Sequence, residues 1–264
     1  MPAPPAYAIG QFRDAAGEVA RLREQRRVLA AAEDAALRQV GFPEGGLALD
    51  LGCGPGFVAQ GLRASRPGLR VVGADIDRQA LALARPLTTV LAAAGEALPF
   101  RDGAFDGAYA RFVLRYLPAP ERALGELVRV TRPGGAVFVL DSDQDALVLH
   151  PQPAGFAATV RARDRSLRRR GADPTFARRL VELLSCQPLE GITGRTLDVS
   201  TLAIGADAFA SLVLAPFAEA IDEDLMTEAE VKEAAAAIRA WGARPGAFGM
   251  TTVVLVCGRR TMAG

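Results

Sequence analysis

The ten residues Leu47–Gly56, Leu-Ala-Leu-Asp-Leu-Gly-Cys-Gly-Pro-Gly, constrain the fold more than any other stretch of this chain. A short apolar run carries an acid, Asp50, near its end. Glycines follow at 52, 54 and 56, and a helical pattern opens over Phe57–Leu62. A buried strand that turns sharply into a helix through glycines brings backbone N–H groups close to a ligand. The acid sets the sign of that ligand's charge: it repels a pyrophosphate and attracts an ammonium. A dinucleotide fingerprint would also need a glycine at position 57, where this chain has Phe57.

Downstream, apolar runs and helical segments alternate at short spacing. Leu47–Leu51 reads as a first strand, Leu69–Ala74 as a second that ends at Asp75, and Val90–Ala93 as a weak third. Phe105–Ala110 reads as a fourth and Ala136–Leu140 as a fifth, the latter after a turn at Arg132-Pro-Gly-Gly135. Helices are expected over Val58–Ala64, around Gln79–Pro86 and over Pro120–Val130. Such alternation implies parallel strands joined by right-handed crossovers. Ligands then bind at the carboxyl ends of the strands. Asp50, Asp75, Arg111 and Asp141 all stand at those ends and should converge on one rim.

The flanks read differently. Glu18–Val40 has the apolar spacing of an amphipathic helix. After His150 the alternation stops. Arg161–Arg170 is a basic helical run, which reads as a solvated face. Phe176–Leu184 and Asp207–Ile221 are also helical, and Gly194–Ile204 is a sixth strand. Thr227-Glu-Ala-Glu230 has the form of a capping box and opens a helix with Val231, Ala234, Ile238 and Trp241 on one face. The apolar stripes of this half, Phe209/Leu212/Phe217 among them, read as core. Met250–Cys257 is a strong last strand, expected to pair hairpin-like with the sixth and to lie antiparallel at the sheet's edge. The expected fold is α/β: a three-layer Rossmann-like sandwich with a mainly parallel seven-stranded sheet and an antiparallel last strand. Three parts are expected: an N-terminal helical cap (1–45), a ligand-binding core (46–145), and cap helices with the last two strands (146–264).

Composition narrows the function classes. Half of the 264 residues are hydrophobic, enough for a sizeable core. A formal net charge of +1 argues against a general nucleic-acid binder. Three scattered cysteines and one histidine make no zinc pattern. No apolar run approaches the roughly 20 residues that span a bilayer. The Pro/Ala-rich start lacks the layout of a signal peptide, so a reduced, cytoplasmic compartment is expected.

Five elements in order resemble the class I S-adenosylmethionine (SAM)-dependent methyltransferases. They are Leu49–Gly56; Val71-Val-Gly-Ala-Asp-Ile-Asp77; Gly95-Glu-Ala-Leu-Pro-Phe100 with Gly103-Ala-Phe-Asp106; Arg111-Phe-Val-Leu-Arg-Tyr-Leu117; and Arg129-Val-Thr-Arg-Pro-Gly-Gly135. The resemblance is good over Glu18–Leu140 and weak beyond it. It implies that Gly52, Cys53, Gly54 and Asp50 hold the methionine tail of SAM, with Asp50 facing the ammonium. It implies Asp75 on the ribose hydroxyls, Ile76 against adenine, Gly95 and Glu96 at the adenine edge, and Arg111 at the methyl-donor pocket. Glu18-x-x-Arg21-Leu-x-x-Gln25 resembles a helix that closes over the cofactor in one bacterial branch, so Arg21 or Gln25 would reach the cofactor's carboxylate. Two positions depart from the family: Ala94 stands where many members carry an adenine-binding Asp, and Arg115 where members often carry a histidine.

The expected activity is methyl transfer to an O, N or C atom of a small, apolar metabolite in a bacterial, specialised pathway, by a monomer or homodimer with no metal. His150, the sole histidine, is the candidate general base. Asp141 and Asp143 are candidates for positioning the acceptor. Two alternatives keep the fold and the cofactor: a non-methylating reaction (cyclisation, decarboxylation or rearrangement), or SAM binding without catalysis.

Overall fold

In the computed structural model, which describes residues 6–12, 14–214 and 225–262, seven strands form one sheet. They are β1 (Gly45–Leu51), β2 (Gly68–Asp75), β3 (Thr89–Ala92), β4 (Phe105–Arg111), β5 (Thr131–His150), β6 (Leu189–Ser200) and β7 (Phe248–Arg260). Their order is β3-β2-β1-β4-β5-β7-β6. The first five pair in parallel, and β7 runs antiparallel to both of its neighbours. Nine α-helices are described: α1 (Ala15–Gln39), α2 (Phe57–Ser65), α3 (Arg78–Ala84), α4 (Pro120–Val130), α5 (Phe156–Arg169), α6 (Leu180–Ser185), α7 (Thr201–Ile204), α8 (Ala206–Leu214) and α9 (Glu228–Gly242).

Alternating residues of the central strands feed two cores, which makes three layers. Ala48, Tyr109 and Phe138 pack with Leu29 and Leu37 of α1 and Ala59 and Leu62 of α2. Leu49, Ala108 and Val137 pack on the other face with Leu124, Leu127 and Val128 of α4 and Leu180 and Leu184 of α6. Each such leucine contributes about 1.5–3 kcal/mol by burial. Local signals set the helix ends. Pro120 occupies the first turn of α4, where no N–H is needed. The Thr227 hydroxyl accepts from the Glu230 N–H, while the Thr227 N–H donates to the Glu230 carboxylate.

The structure corrects three expectations. The fifth strand is not confined to Ala136–Leu140. Phe105 pairs with Thr131 and Gly107 with Ala136, so residues 132–135 bulge within β5 rather than turn before it. β6 begins and ends earlier than Gly194–Ile204. The last strand is not at the edge: β7 lies between β5 and β6. The physical reason is burial. Val253 and Leu255 of β7 enter one core and Val256 the other, whereas β6 is exposed over much of its length and carries Glu190, Arg195 and Asp198, as suits an edge. The expected boundary at 145/146 falls inside β5. Of the expected helix over Asp207–Ile221, residues 215–221 lie outside the described residues, as does Phe217. No helix among the described residues is long and apolar enough to cross a membrane.

Candidate cofactor site

The strand ends place the expected residues on one rim. Leu51 is level with Ala74 of β2 and Ala110 of β4, and Arg111 with Leu140 of β5. Asp50, Asp75, Arg111 and Asp141 therefore stand within a residue or two of the same carboxyl edge. At β1 the chain leaves the sheet through Gly52 and Gly54, with φ of 66° and 50°. Such φ values favour glycine. A Cβ at Gly52 would lie 1.8 Å from a methyl of Val113, whereas one at Gly54 would meet no atom within 4 Å. Gly52 is thus packed, and Gly54 presents bare backbone to open space.

Asp75 closes this loop from the side. Its Oδ2 accepts from the Gly54 N–H at 2.8 Å and its Oδ1 from the Asp77 N–H at 2.9 Å. Each oxygen keeps a lone pair for a further donor. Burial raises the Asp75 carboxyl, and these N–H groups oppose the rise. Ile76 is 53% exposed, an unusual state for isoleucine, and so offers an apolar platform next to Asp75. Cys53 is buried against Gly73, and burial holds its thiol protonated, so it is a packed loop residue.

Two acids each keep a buried oxygen without a partner. Asp50 is 1% exposed, and its Oδ2 makes no hydrogen bond among the described residues; Glu96 is half-buried, and its Oε1 is buried and likewise unpartnered. Burial pushes the Asp50 carboxyl up to about 7, with the Arg111 guanidinium opposing. Glu33, Asp75 and Arg26 are the other charges acting on it. A buried acid without a donor is costly unless a ligand supplies one. The loop that carries Gly95 and Glu96 is held by α4: Glu126 accepts from the Leu98 N–H at 2.7 Å, and Arg129 donates to the carbonyls of Leu98 and Phe100 at 3.0 and 2.9 Å.

The N-terminal segment crosses above the glycine loop. The Ile9 N–H donates to Asp77 Oδ2 at 2.7 Å, beyond β2, and the Tyr7 ring lies 5.2 Å from the Tyr116 ring, beyond β4. Because β1 lies between β2 and β4, a segment tied to both passes over its end. The Tyr7 hydroxyl donates to Glu18, whose carboxylate also takes Arg21 at 2.6 and 2.8 Å. Arg21 is thus engaged beside Tyr7, and Gln25 turns its Oε1 to Arg111 at 3.5 Å.

Arg111 belongs to a buried polar cluster that local sequence did not suggest. Glu33 of α1, fully buried, accepts from the Tyr109 hydroxyl at 2.8 Å and from Arg111 Nε at 2.9 Å, with Arg26 3.5 Å away. The available signal was the placement of Arg26 and Glu33 at helical spacing with buried Leu29 and Leu37, where charges are unexpected. Phe112, next to Arg111, has φ of 55°, and its ring lies 4.6 Å from the Arg111 guanidinium carbon and 5.7 Å from that of Arg115.

The three candidate catalytic residues are not brought together as free groups. Asp141 is buried and ion-paired with Arg115, the residue that replaces the family's histidine. Burial raises the Asp141 carboxyl, against the pull of Arg115; burial likewise works against the charge of Arg115, and the Asp141 carboxylate outweighs it. Asp143 pairs with Arg178 at 2.6 Å. His150 is exposed at the far end of β5. Its partner Phe248 is six positions along β7 from Val254, the partner of Asp141. At ~3.3 Å per residue that is about 20 Å from the rim. Among the described residues no group of three or more His, Cys, Asp or Glu could hold a metal ion.

These features fit SAM: an acid without a donor for the ammonium, an acid with two available lone pairs for the ribose, an apolar platform and a half-buried acid for adenine, and bare backbone at Gly54 for the tail. The comparisons agree. Residues 49–139 match the model of a methyltransferase domain. The chain is 40% identical over 129 residues to a demethylmenaquinone methyltransferase of Thermus thermophilus, covering 46% of this chain and 55% of that protein. It spans between 32% and 55% of the length of the first curated relatives it matches. Among solved structures, a geranyl diphosphate methyltransferase in complex with SAM superposes with a TM-score of 0.54 at 15% identity, covering 92% of this chain and 90% of that one. The [4+2]-cyclase SpnF superposes with a TM-score of 0.53 at 20% identity, covering 89% and 81%. At such identity these two likenesses bear on the fold. Fold, ordered motifs and domain match together make residues 49–139 a methyltransferase domain similar to those of the class I SAM-dependent methyltransferases.

Proposed function

We propose that this protein transfers a methyl group from SAM to a small, largely apolar acceptor. The observation that carries this reading is the open face of Gly54 beside the donor-less oxygen of Asp50, inside the matched methyltransferase segment. In this reading Asp50 holds the ammonium, Asp75 the ribose hydroxyls, and Ile76, Gly95 and Glu96 the adenine. When bound, SAM supplies an electrophilic methyl on a sulfonium, open to in-line displacement. The chain's part is alignment and the exclusion of water, and alignment by itself supplies several kcal/mol, up to about 7–11. Segment 6–12 and α1 cover the rim. Asp141 is buried and ion-paired with Arg115, and His150 lies far from the rim. That favours an acceptor that ionises readily, such as a phenol or an activated carbon, over an aliphatic alcohol.

The first test is calorimetric titration with SAM and with S-adenosylhomocysteine. Binding of both is expected; no heat and no thermal shift with either would remove the reading. A screen of metabolites with labelled SAM then identifies the acceptor.

Asp50 makes SAM affinity depend on pH. Its folded pKa, about 7, lies above that of a free carboxyl. The neutral form therefore stabilises the ligand-free fold, most fully below pH ~4, and this stabilisation is lost as pH rises through about 7. A cation bound beside Asp50 needs the ionised form, so binding below pH 7 releases a proton. Affinity should rise by up to about tenfold per pH unit between pH 5.5 and 7, and level off above it. Calorimetry in buffers of different ionisation enthalpy reads the proton directly. Asp50→Asn should flatten the profile.

A second reading rests on the paired Asp141 and the distant His150, which leave neither of these candidates as a free base at the rim. A SAM-binding enzyme of this fold can catalyse a cyclisation, decarboxylation or rearrangement instead. Product mass separates the two: a gain of one methyl with stoichiometric S-adenosylhomocysteine supports transfer, and an isomeric product supports the other.

A further inference from the structure

Asp50, Tyr109 and Arg111 face the same side of the sheet. Asp50 and Tyr109 are register partners on β1 and β4, and Arg111 is two residues beyond Tyr109, level with the start of the glycine loop. The Arg111 side chain is fixed on several sides. Its Nε donates to Glu33 at 2.9 Å, its Nη1 lies 3.5 Å from Gln25 Oε1, and its guanidinium stacks on Phe112. Its Nη2 is buried and makes no hydrogen bond among the described residues. Asp50 Oδ2 is buried in the same condition. Beside the glycine loop, Arg111 and Asp50 thus offer a cationic and an anionic group, each with a buried polar atom left over, next to bare backbone. That pair matches a zwitterion whose ammonium and carboxylate share one carbon.

We propose that Arg111 is the anchor for the α-carboxylate of the cofactor's amino-acid end, with Glu33 as its positioning residue and Asp50 as the counterpart for the ammonium. The inference rests on the cofactor reading above and assigns a task that the helix motif had suggested for Arg21 or Gln25. Glu33 acts through Arg111: it neutralises a buried guanidinium and fixes its Nε edge, so that Nη2 points at the ligand. Tyr109 in turn fixes Glu33, through its hydroxyl. The site thereby discriminates ligands by their carboxylate.

The test compares two ligands, SAM and decarboxylated SAM, which keeps the sulfonium and the ammonium. Dissociation constants are measured calorimetrically on the full chain. The wild type should prefer SAM by about 30-fold or more, as expected for loss of a charge-assisted hydrogen bond from a buried arginine. Arg111→Gln should reduce that ratio to within about threefold while leaving affinity for decarboxylated SAM little changed. Glu33→Gln should lower the ratio to an intermediate value, a readout that a merely structural role would not move. Equal affinities in the wild type, or equal weakening of both ligands by Arg111→Gln, would overturn the assignment while leaving the cofactor reading intact. If Arg111→Gln fails to fold, the wild-type ratio and Glu33→Gln decide. A wild type that binds neither ligand fails the cofactor reading itself, and this inference with it.

Discussion

Gly54→Val is expected to abolish measurable SAM binding while leaving the chain folded. The position has φ of 50°, and a Cβ there meets nothing within 4 Å, so no protein atom must move to admit a side chain. The left-handed conformation costs a non-glycine residue about 1–2 kcal/mol, which a domain of this size tolerates. The branched side chain then stands in the space the methionine tail needs. A loss of at least about 100-fold in affinity, near 3 kcal/mol, is expected from calorimetry, with Tm lowered by only a few degrees. Gly54→Ala should show a smaller loss. Gly52 is the contrasting position: its Cβ would collide with Val113, so Gly52→Val should disturb the loop itself. If Gly54→Val bound SAM within tenfold of the wild type, the assignment of this hollow would be wrong.

Arg115→Met is expected to give the largest loss of stability. Arg115 and Asp141 are 3% and 0% exposed and joined by an ion pair, and Arg115 also donates to the Ser142 carbonyl at 2.9 Å and to its hydroxyl at 2.8 Å. Removing one partner leaves a buried charge without compensation, a loss of about 3–5 kcal/mol. Tm should fall by about 10 °C. The sign of the pH dependence follows from Asp141. Without Arg115 its neutral form is favoured in the fold, so the deficit is greatest near pH 8 and shrinks as pH falls towards 5. Arg115→Met combined with Asp141→Leu should recover much of the loss, because no buried charge remains. Urea denaturation at two pH values measures both effects. A single variant as stable as the wild type at pH 8 would show the pair to be immaterial.

Much of the fold was legible because its signals are local. The glycine loop, the acids at strand ends and the capping box at Thr227 depend on neighbours in sequence, and each lies where it was expected. The antiparallel end of the sheet was legible only in part. The apolar run Met250–Cys257 identified a strand, but not that it inserts between β5 and β6, since pairing order depends on which faces the whole molecule covers. The length of β5 was hidden for a related reason. The Pro-Gly-Gly at 133–135 reads as a turn, and only the pairing with β4 on both sides of it, at Thr131 and again at Ala136, makes it a bulge. Motif spacing pointed to Asp50, Asp75 and Glu96 and to Arg21 or Gln25, but not to their contacts: Arg21 pairs with Glu18, and Gln25 lies 3.5 Å from Arg111.

By itself, then, the amino-acid order determined where the glycine turn leaves the sheet and that an acid stands beside it, because a strand end, three glycines and an acid are contiguous along the chain. The tertiary structure alone decided which charges are joined: Arg111 to Glu33, 78 positions away, and Arg115 to Asp141, 26 positions away. The reason is electrostatic. A buried charge takes whatever partner the packed elements bring within hydrogen-bond reach, and no local periodicity records that choice.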